Sequence, residues 1–114
     1  MVAADSVRNL CERIVAQFQP ERVVLFGSYA YGSPTDYSDV DLLVVLPFEG
    51  KRSAKELEIL RAIAPRFSVD LLAYTPEELR WRLEQNDFFL REVVEKGKTL
   101  YAAPDRRVDR QGGG

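Results

Sequence analysis

The sequence predicts an α/β (α+β) protein, a small mixed β-sheet covered by helices. Three observations carry that prediction. Short β-branched apolar runs at residues 22–26, 41–46 and 68–74 alternate with longer segments whose apolar residues recur at helical spacing. The runs end on chain breakers, Gly27, Pro47 and Thr75-Pro76. At 114 residues and 46 % apolar content the chain can bury one modest core and no more. The expected organisation is a single domain over residues 1–104, followed by a disordered tail over 105–114 that holds nothing to bury.

Val7, Leu10, Cys11, Ile14, Val15 and Phe18 lie on one face of a helix, so the first element is an amphipathic helix ended by Pro20. Residues 22–26 follow as a buried strand, and residues 28–32 suit one helical turn after Gly27. Residues 32–38 are turn chemistry throughout, and the run from Asp41 to Leu46 is a second, central strand. Ser53 and Glu56 are spaced as a capping box, and Leu57, Leu60, Ile63 and Ala64 supply the apolar stripe of the helix that runs to Pro65. Residues 68–74 form a third strand, interior by its apolar composition, with Asp70 as its odd charge. Thr75, Pro76 and Glu78 fit N-cap, N1 and N3 of a helix through Gln85. Asp87 caps a last helix carrying Phe88, Phe89, Val93 and Val94 to a stop at Gly97, before a short strand at residues 99–102. The order of the strands is not legible.

Composition narrows the chemistry. With 16 basic against 18 acidic residues there is no extended cationic surface for nucleic acid, so a polyanionic substrate needs a local device. No apolar run approaches the roughly 20 residues that span a bilayer, and the one cysteine, Cys11, suits a reducing compartment; the expected location is the cytoplasm, with no membrane. The absence of histidine excludes imidazole ligands and Ser/His or Cys/His nucleophile systems. Carboxylates, hydroxyls and cations remain.

Gly27-Ser28 stands at a strand end where backbone N–H groups and the Ser28 hydroxyl can meet a phosphate, although the dipeptide alone reads sooner as an ordinary turn. Asp39 and Asp41, two apart, project to one face of a strand; two carboxylates so placed repel unless a cation lies between them, and Mg²⁺ with a triphosphate completes such a site. A solvated loop entering a strand is an equal alternative for that pair. Asp70 among Val69, Leu71 and Leu72 is either the partner of a structural arginine or a third ligand that could also take the proton of an incoming hydroxyl.

Taken together, Gly27-Ser28-Tyr29-Ala30-Tyr31-Gly32, then Ser38-Asp39-Val40-Asp41-Leu42-Leu43-Val44, then Val69-Asp70-Leu71, closely resemble the signature of the DNA polymerase β-like nucleotidyltransferases. Size and spacing resemble the minimal nucleotidyltransferases of bacteria and archaea, the antitoxin components often encoded beside a helical HEPN-domain protein. The resemblance covers roughly residues 7–102. It implies that Gly27 and Ser28 hold the β- and γ-phosphates of ATP, that Asp39 and Asp41 bind two Mg²⁺ ions, and that Asp70 completes the site of the catalytic one. It further implies transfer of AMP to a tyrosine of the HEPN partner, which is thereby neutralised. One position departs: where many relatives carry arginine this chain has Tyr31, which removes a cation from the triphosphate and is read as a packing residue, with base stacking the alternative. Two other functions stay open, a binding module that neutralises its partner by contact and a small-molecule transferase resembling the aminoglycoside-modifying enzymes.

Overall fold

A computed structural model describes residues 1–104. In chain order the elements are α1 (Ala4–Phe18), β1 (Arg22–Phe26), α2 (Ser28–Tyr31), β2 (Val40–Val45), α3 (Arg52–Ile63), β3 (Val69–Tyr74), α4 (Pro76–Glu84), α5 (Phe88–Lys96) and β4 (Lys98–Ala102). The tail expected over 105–114 lies outside the described residues.

The four strands form one mixed sheet in the order β3-β2-β1-β4. β1 is antiparallel to β2 and to β4, whereas β2 and β3 run parallel with α3 as the crossover. The predicted mixed sheet is therefore present, and β2 is central as expected. β3 is not: it is an edge strand, and its apolar run is accounted for by cover on its faces and not by a neighbour on both sides.

Alternation along the strands sends side chains into two cores. Val23 and Leu25 of β1 and Val40, Leu42 and Val44 of β2 face α1 and α3, where Leu10, Ile14, Ile59 and Ile63 are sealed from solvent. Arg13 of α1 donates to the terminal carbonyl of Ile63 and ties the two helices together. On the opposite face Val24, Phe26, Leu43, Val45 and Tyr74 pack against Leu79 of α4 and Leu90 and Val93 of α5.

Helix ends follow local chemistry with one exception. The Thr75 hydroxyl accepts from the Glu78 N–H at 3.0 Å, and the Asp87 carboxylate accepts from the Leu90 N–H at 3.0 Å, so both predicted caps form. The capping box at Ser53 does not. α3 starts a residue earlier at Arg52, and Glu56 instead accepts from the Ala73 N–H of β3 at 3.0 Å. Two stripes also shift: α3 buries Ile59 and leaves Leu57 exposed, and α5 buries Leu90 and Val93 while Phe88 and Phe89 stand in solvent. In each case two registers were open to an apolar-rich helix, and the sheet contact selected one.

Candidate active site

Because β1 opposes β2 and β2 parallels β3, the C-terminal end of β1 meets the N-terminal ends of the other two strands. Phe26 is the Cα partner of Asp41, and Asp41 that of Asp70. Asp41 shares its face with Leu43 and Val45, and Asp70 shares it with Leu72 and Tyr74, so both carboxylates stand on the α4–α5 side of the sheet. Adjacent strands lie about 4.8 Å apart, which makes these neighbours across the ladder. Asp39 precedes β2 by one residue. Its carboxylate accepts from the Ser68 hydroxyl, and Val40 N–H donates to Ser68 O at 3.0 Å, so the parallel pairing extends one step beyond the strand ends.

A built turn delivers this row. Thr35 N–H donates to Ser38 Oγ at 2.9 Å, Tyr37 N–H to Thr35 Oγ1 at 3.2 Å, and Ser38 N–H to Thr35 O at 3.1 Å. Such Ser/Thr turns let a short polar segment fix its own backbone.

Gly27 is required by the site's geometry. Its φ is +72°, and a Cβ there would lie 2.0 Å from Oδ2 of Asp41, so any other residue would occupy the carboxylate's own space. Ser28 then opens α2, a single turn whose first amides have no intrahelical acceptor. The turn is anchored from outside, since Ala30 is buried and the Tyr29 hydroxyl accepts from Val2 N–H at 2.8 Å. Gly27 therefore sits beside Asp41, with Ser28 next along the chain.

The three carboxylates lie close enough to influence one another. Burial first, then the neighbouring Asp70 and Asp39 charges, push the Asp41 carboxyl up to about 6. Among the described residues no Lys or Arg pairs with Asp39, Asp41 or Asp70. Nor do three acidic or thiol side chains among them close into a metal cage, and Asp39 is hydrogen-bonded to Ser68. The arrangement is a row of oxygen donors, like-charged and open to solvent at both ends.

Two expectations change. Asp70 was singled out as a charge in an interior strand, but it is exposed on an edge strand, and what distinguishes it is its place beside Asp41. Tyr31 was read as packing, but it is 46 % exposed, because the four-residue turn is too short to bring its last side chain under cover. Ser68 was missed. Its signal was its position two residues before Asp70, the counterpart of Asp39 before Asp41, visible only once the parallel pairing is known. A cavity of about 790 Å³ lies elsewhere, between α1 and β4, and is lined mainly by apolar side chains such as Val7, Cys11, Val15 and Leu100.

The family model for the nucleotidyltransferase domain matches residues 7–101. The chain belongs to that nucleotidyltransferase domain family. The resemblance drawn from the Gly27-Ser28, Asp39/Asp41 and Asp70 motifs is thus borne out. Over 83 residues the chain is 30 % identical to a Methanocaldococcus jannaschii protein named “Putative protein adenylyltransferase”, covering 71 % of this chain and 78 % of that relative. A second protein of the same organism and name is 47 % identical over 45 residues, 40 % of this chain; there the match spans only about a third, 31 %, of the relative's length. Among solved structures, a nucleotidyltransferase of Sulfolobus solfataricus superposes with a TM-score of 0.60 at 19 % identity, covering 86 % of this chain and 78 % of that one. A toxin-antitoxin crystal structure with AMP-PNP gives 0.56 at 24 %, covering 84 % and 73 %. At these identities the structures establish that the nucleotidyltransferase fold is shared.

Proposed function

We propose that this nucleotidyltransferase moves AMP from ATP to a hydroxyl acceptor, a tyrosine of a HEPN-type toxin, and so acts as an antitoxin in the cytoplasm. The observation that carries the chemistry is the row of Asp39, Asp41 and Asp70 facing Gly27-Ser28, without a cationic side chain among the described residues to neutralise it. The relatives named as protein adenylyltransferases and the toxin-antitoxin neighbour support the acceptor class and the setting. Cys11 is free and buried, as a reducing compartment allows, and no helix among the described residues is long and apolar enough to cross a membrane.

The donor set fits Mg²⁺, since it offers only hard oxygens, and its central carboxyl is raised by burial first and then by the Asp70 and Asp39 charges. Asp39 and Asp41 would hold two ions and Asp70 would complete one site; when bound, the ions offset the negative charge that builds on the phosphoryl oxygens. The rest falls to the chain. Gly27 lets the backbone approach the β- and γ-phosphates, and Ser28 offers its hydroxyl and amide to them. The acceptor oxygen bonds to the α-phosphorus as the bond to the bridging oxygen breaks, pyrophosphate leaves, and Asp70, at the open end of the row, takes the acceptor's proton.

The test is mass spectrometry of the co-expressed partner with wild-type protein and with a folded Asp39→Asn/Asp41→Asn variant. An adenylated tyrosine with the wild type alone is expected. Exposed, uncharged Tyr31 at the phosphate side favours a second reading, neutralisation by contact. Protection of growth by the folded double variant, with an unmodified partner, would establish that reading instead.

A further inference from the structure

Three aromatic side chains of the C-terminal helices stand largely in solvent: Phe88 is 83 %, Trp81 55 % and Phe89 52 % exposed. Phe89 differs in what it touches. Its ring meets that of Phe26 edge to face, with centroids 5.8 Å apart and planes at 82°. Phe26 is the last residue of β1, the Cα partner of Asp41, and is followed directly by Gly27. Phe89 thus lies one side chain away from the middle of the carboxylate row, on the same face of the sheet. The Asp87 cap fixes the first turn of α5 on which it sits. The helix is held by Leu90 and Val93, which are sealed in the core, and Phe89 keeps half of its surface in water beside Phe26.

The strand order gives the site two unlike flanks. Asp41 is in the middle, exposed Asp70 is on the edge strand to one side, and Phe26 with Phe89 is on the other. An acceptor hydroxyl that loses its proton to Asp70 arrives from the edge. The β1 flank then takes the nucleotide, with the β- and γ-phosphates past the strand end at Gly27-Ser28 and the nucleoside over Phe26 on the α4–α5 face. A ribose separates the α-phosphate of a nucleotide from its base, and here one side chain, Phe26, separates Asp41 from Phe89.

We infer that Phe89 is the stacking platform for the base of the nucleoside triphosphate, an assignment that rests on the nucleotidyltransferase reading of the carboxylate row. The ring is braced by Phe26 and open on its other side. Every base has a π-face, so the platform adds affinity for nucleotide over bare phosphate chains without reading a hydrogen-bond pattern.

The test is calorimetric titration of the full chain in Mg²⁺ with a non-hydrolysable ATP analogue and, separately, with inorganic tripolyphosphate. Phe89→Ala is expected to weaken the analogue about tenfold and to leave tripolyphosphate unchanged, whereas Phe89→Tyr binds both as the wild type does. Phe89→Leu, which keeps the packing on Phe26 without a π-face, is expected to behave like the alanine variant and serves if that variant folds poorly. Analogue binding unaffected in both Phe89→Ala and Phe89→Leu would overturn the assignment, including the case in which transfer alone suffers and the ring faces the acceptor. Equal weakening of analogue and tripolyphosphate would overturn it in favour of a structural role. If the wild type bound neither ligand, the nucleotide site itself would be wrong and the assignment would fall with it.

Discussion

The two ends of the β2–β3 pair carry similar numbers of charged groups and treat them in opposite ways. At the C-terminal end the Arg52 guanidinium lies 4.0 Å over the Tyr74 ring and pairs with Glu56 at 3.5 Å and Glu78 at 3.7 Å. Glu56 also accepts from the Ala73 N–H. Charge there is matched with charge, and the crossover helix is fastened to the edge strand. At the N-terminal end Asp39, Asp41 and Asp70 stand together with no cationic side chain among the described residues paired to them, and the central carboxyl is raised by burial first and then by the neighbouring charges. Electrostatic strain of that kind lowers the stability of the free protein and raises its attraction for a cation and the phosphates it brings. The paired end fastens the fold, and in the function proposed here the unpaired end is the one that serves the chemistry.

Gly27→Ala breaks the unpaired end most directly. The added methyl must displace the Asp41 carboxylate from 2.0 Å, at a φ of +72° that L-residues rarely adopt. Transfer is expected to fall by about 10²-fold or more, with roughly 1–3 kcal/mol of stability lost. Transfer assays and chemical denaturation check this; wild-type transfer in the variant would mean that the approach of Gly27 to Asp41 has no functional part.

Arg52→Met attacks the paired end. It removes the cation–π contact and both ion pairs while keeping an apolar stem, so stability should fall by roughly 1–2 kcal/mol, seen as a lower Tm, while nucleotide affinity stays as in the wild type. A change in affinity with unchanged Tm would invert the assignment of the two ends.

The smallest effect separates them by pH. In its folded place the Asp41 carboxyl is raised from 3.8 to about 6, so the native state holds that proton more tightly than the unfolded chain does. The stability this contributes is complete below 3.8 and is lost as pH rises through about 6. The cation-free protein should therefore weaken across that window, and Asp41→Asn should flatten the slope. Denaturation midpoints measured between those values check it, and an equally steep slope in the variant would place the titrating group elsewhere.

How much of this was legible in the sequence depends on whether the signal is local. The Thr75 and Asp87 caps, the bounds of β1 and the Gly27 turn are set by neighbouring residues, and all formed as read. The mixed sheet and the family were legible too, since Gly-Ser and Asp-x-Asp sit on either side of one turn. What failed was non-local. The expected cap Ser53 gave way because Glu56 found the Ala73 N–H on another strand. Asp70 was judged by its apolar neighbours in sequence, yet its meaning comes from pairing with Asp41 across the ladder, as does that of Ser68 beside Asp39. Phe89 was read only as one of the apolar residues of the last helix, which offers more than one register, and the contact with Phe26 shows which side it takes.

The central claim is that the carboxylate row accepts nucleotide only through a cation, and calorimetry of ATP binding in Mg²⁺ and in chelator tests it most directly. The account predicts binding to the wild type in Mg²⁺ and none in chelator, because three carboxylates and a triphosphate repel one another. It also predicts that a folded Asp39→Asn/Asp41→Asn variant loses the dependence on Mg²⁺ together with most of the affinity. Equal affinity of the wild type for ATP in chelator and in Mg²⁺ would contradict it.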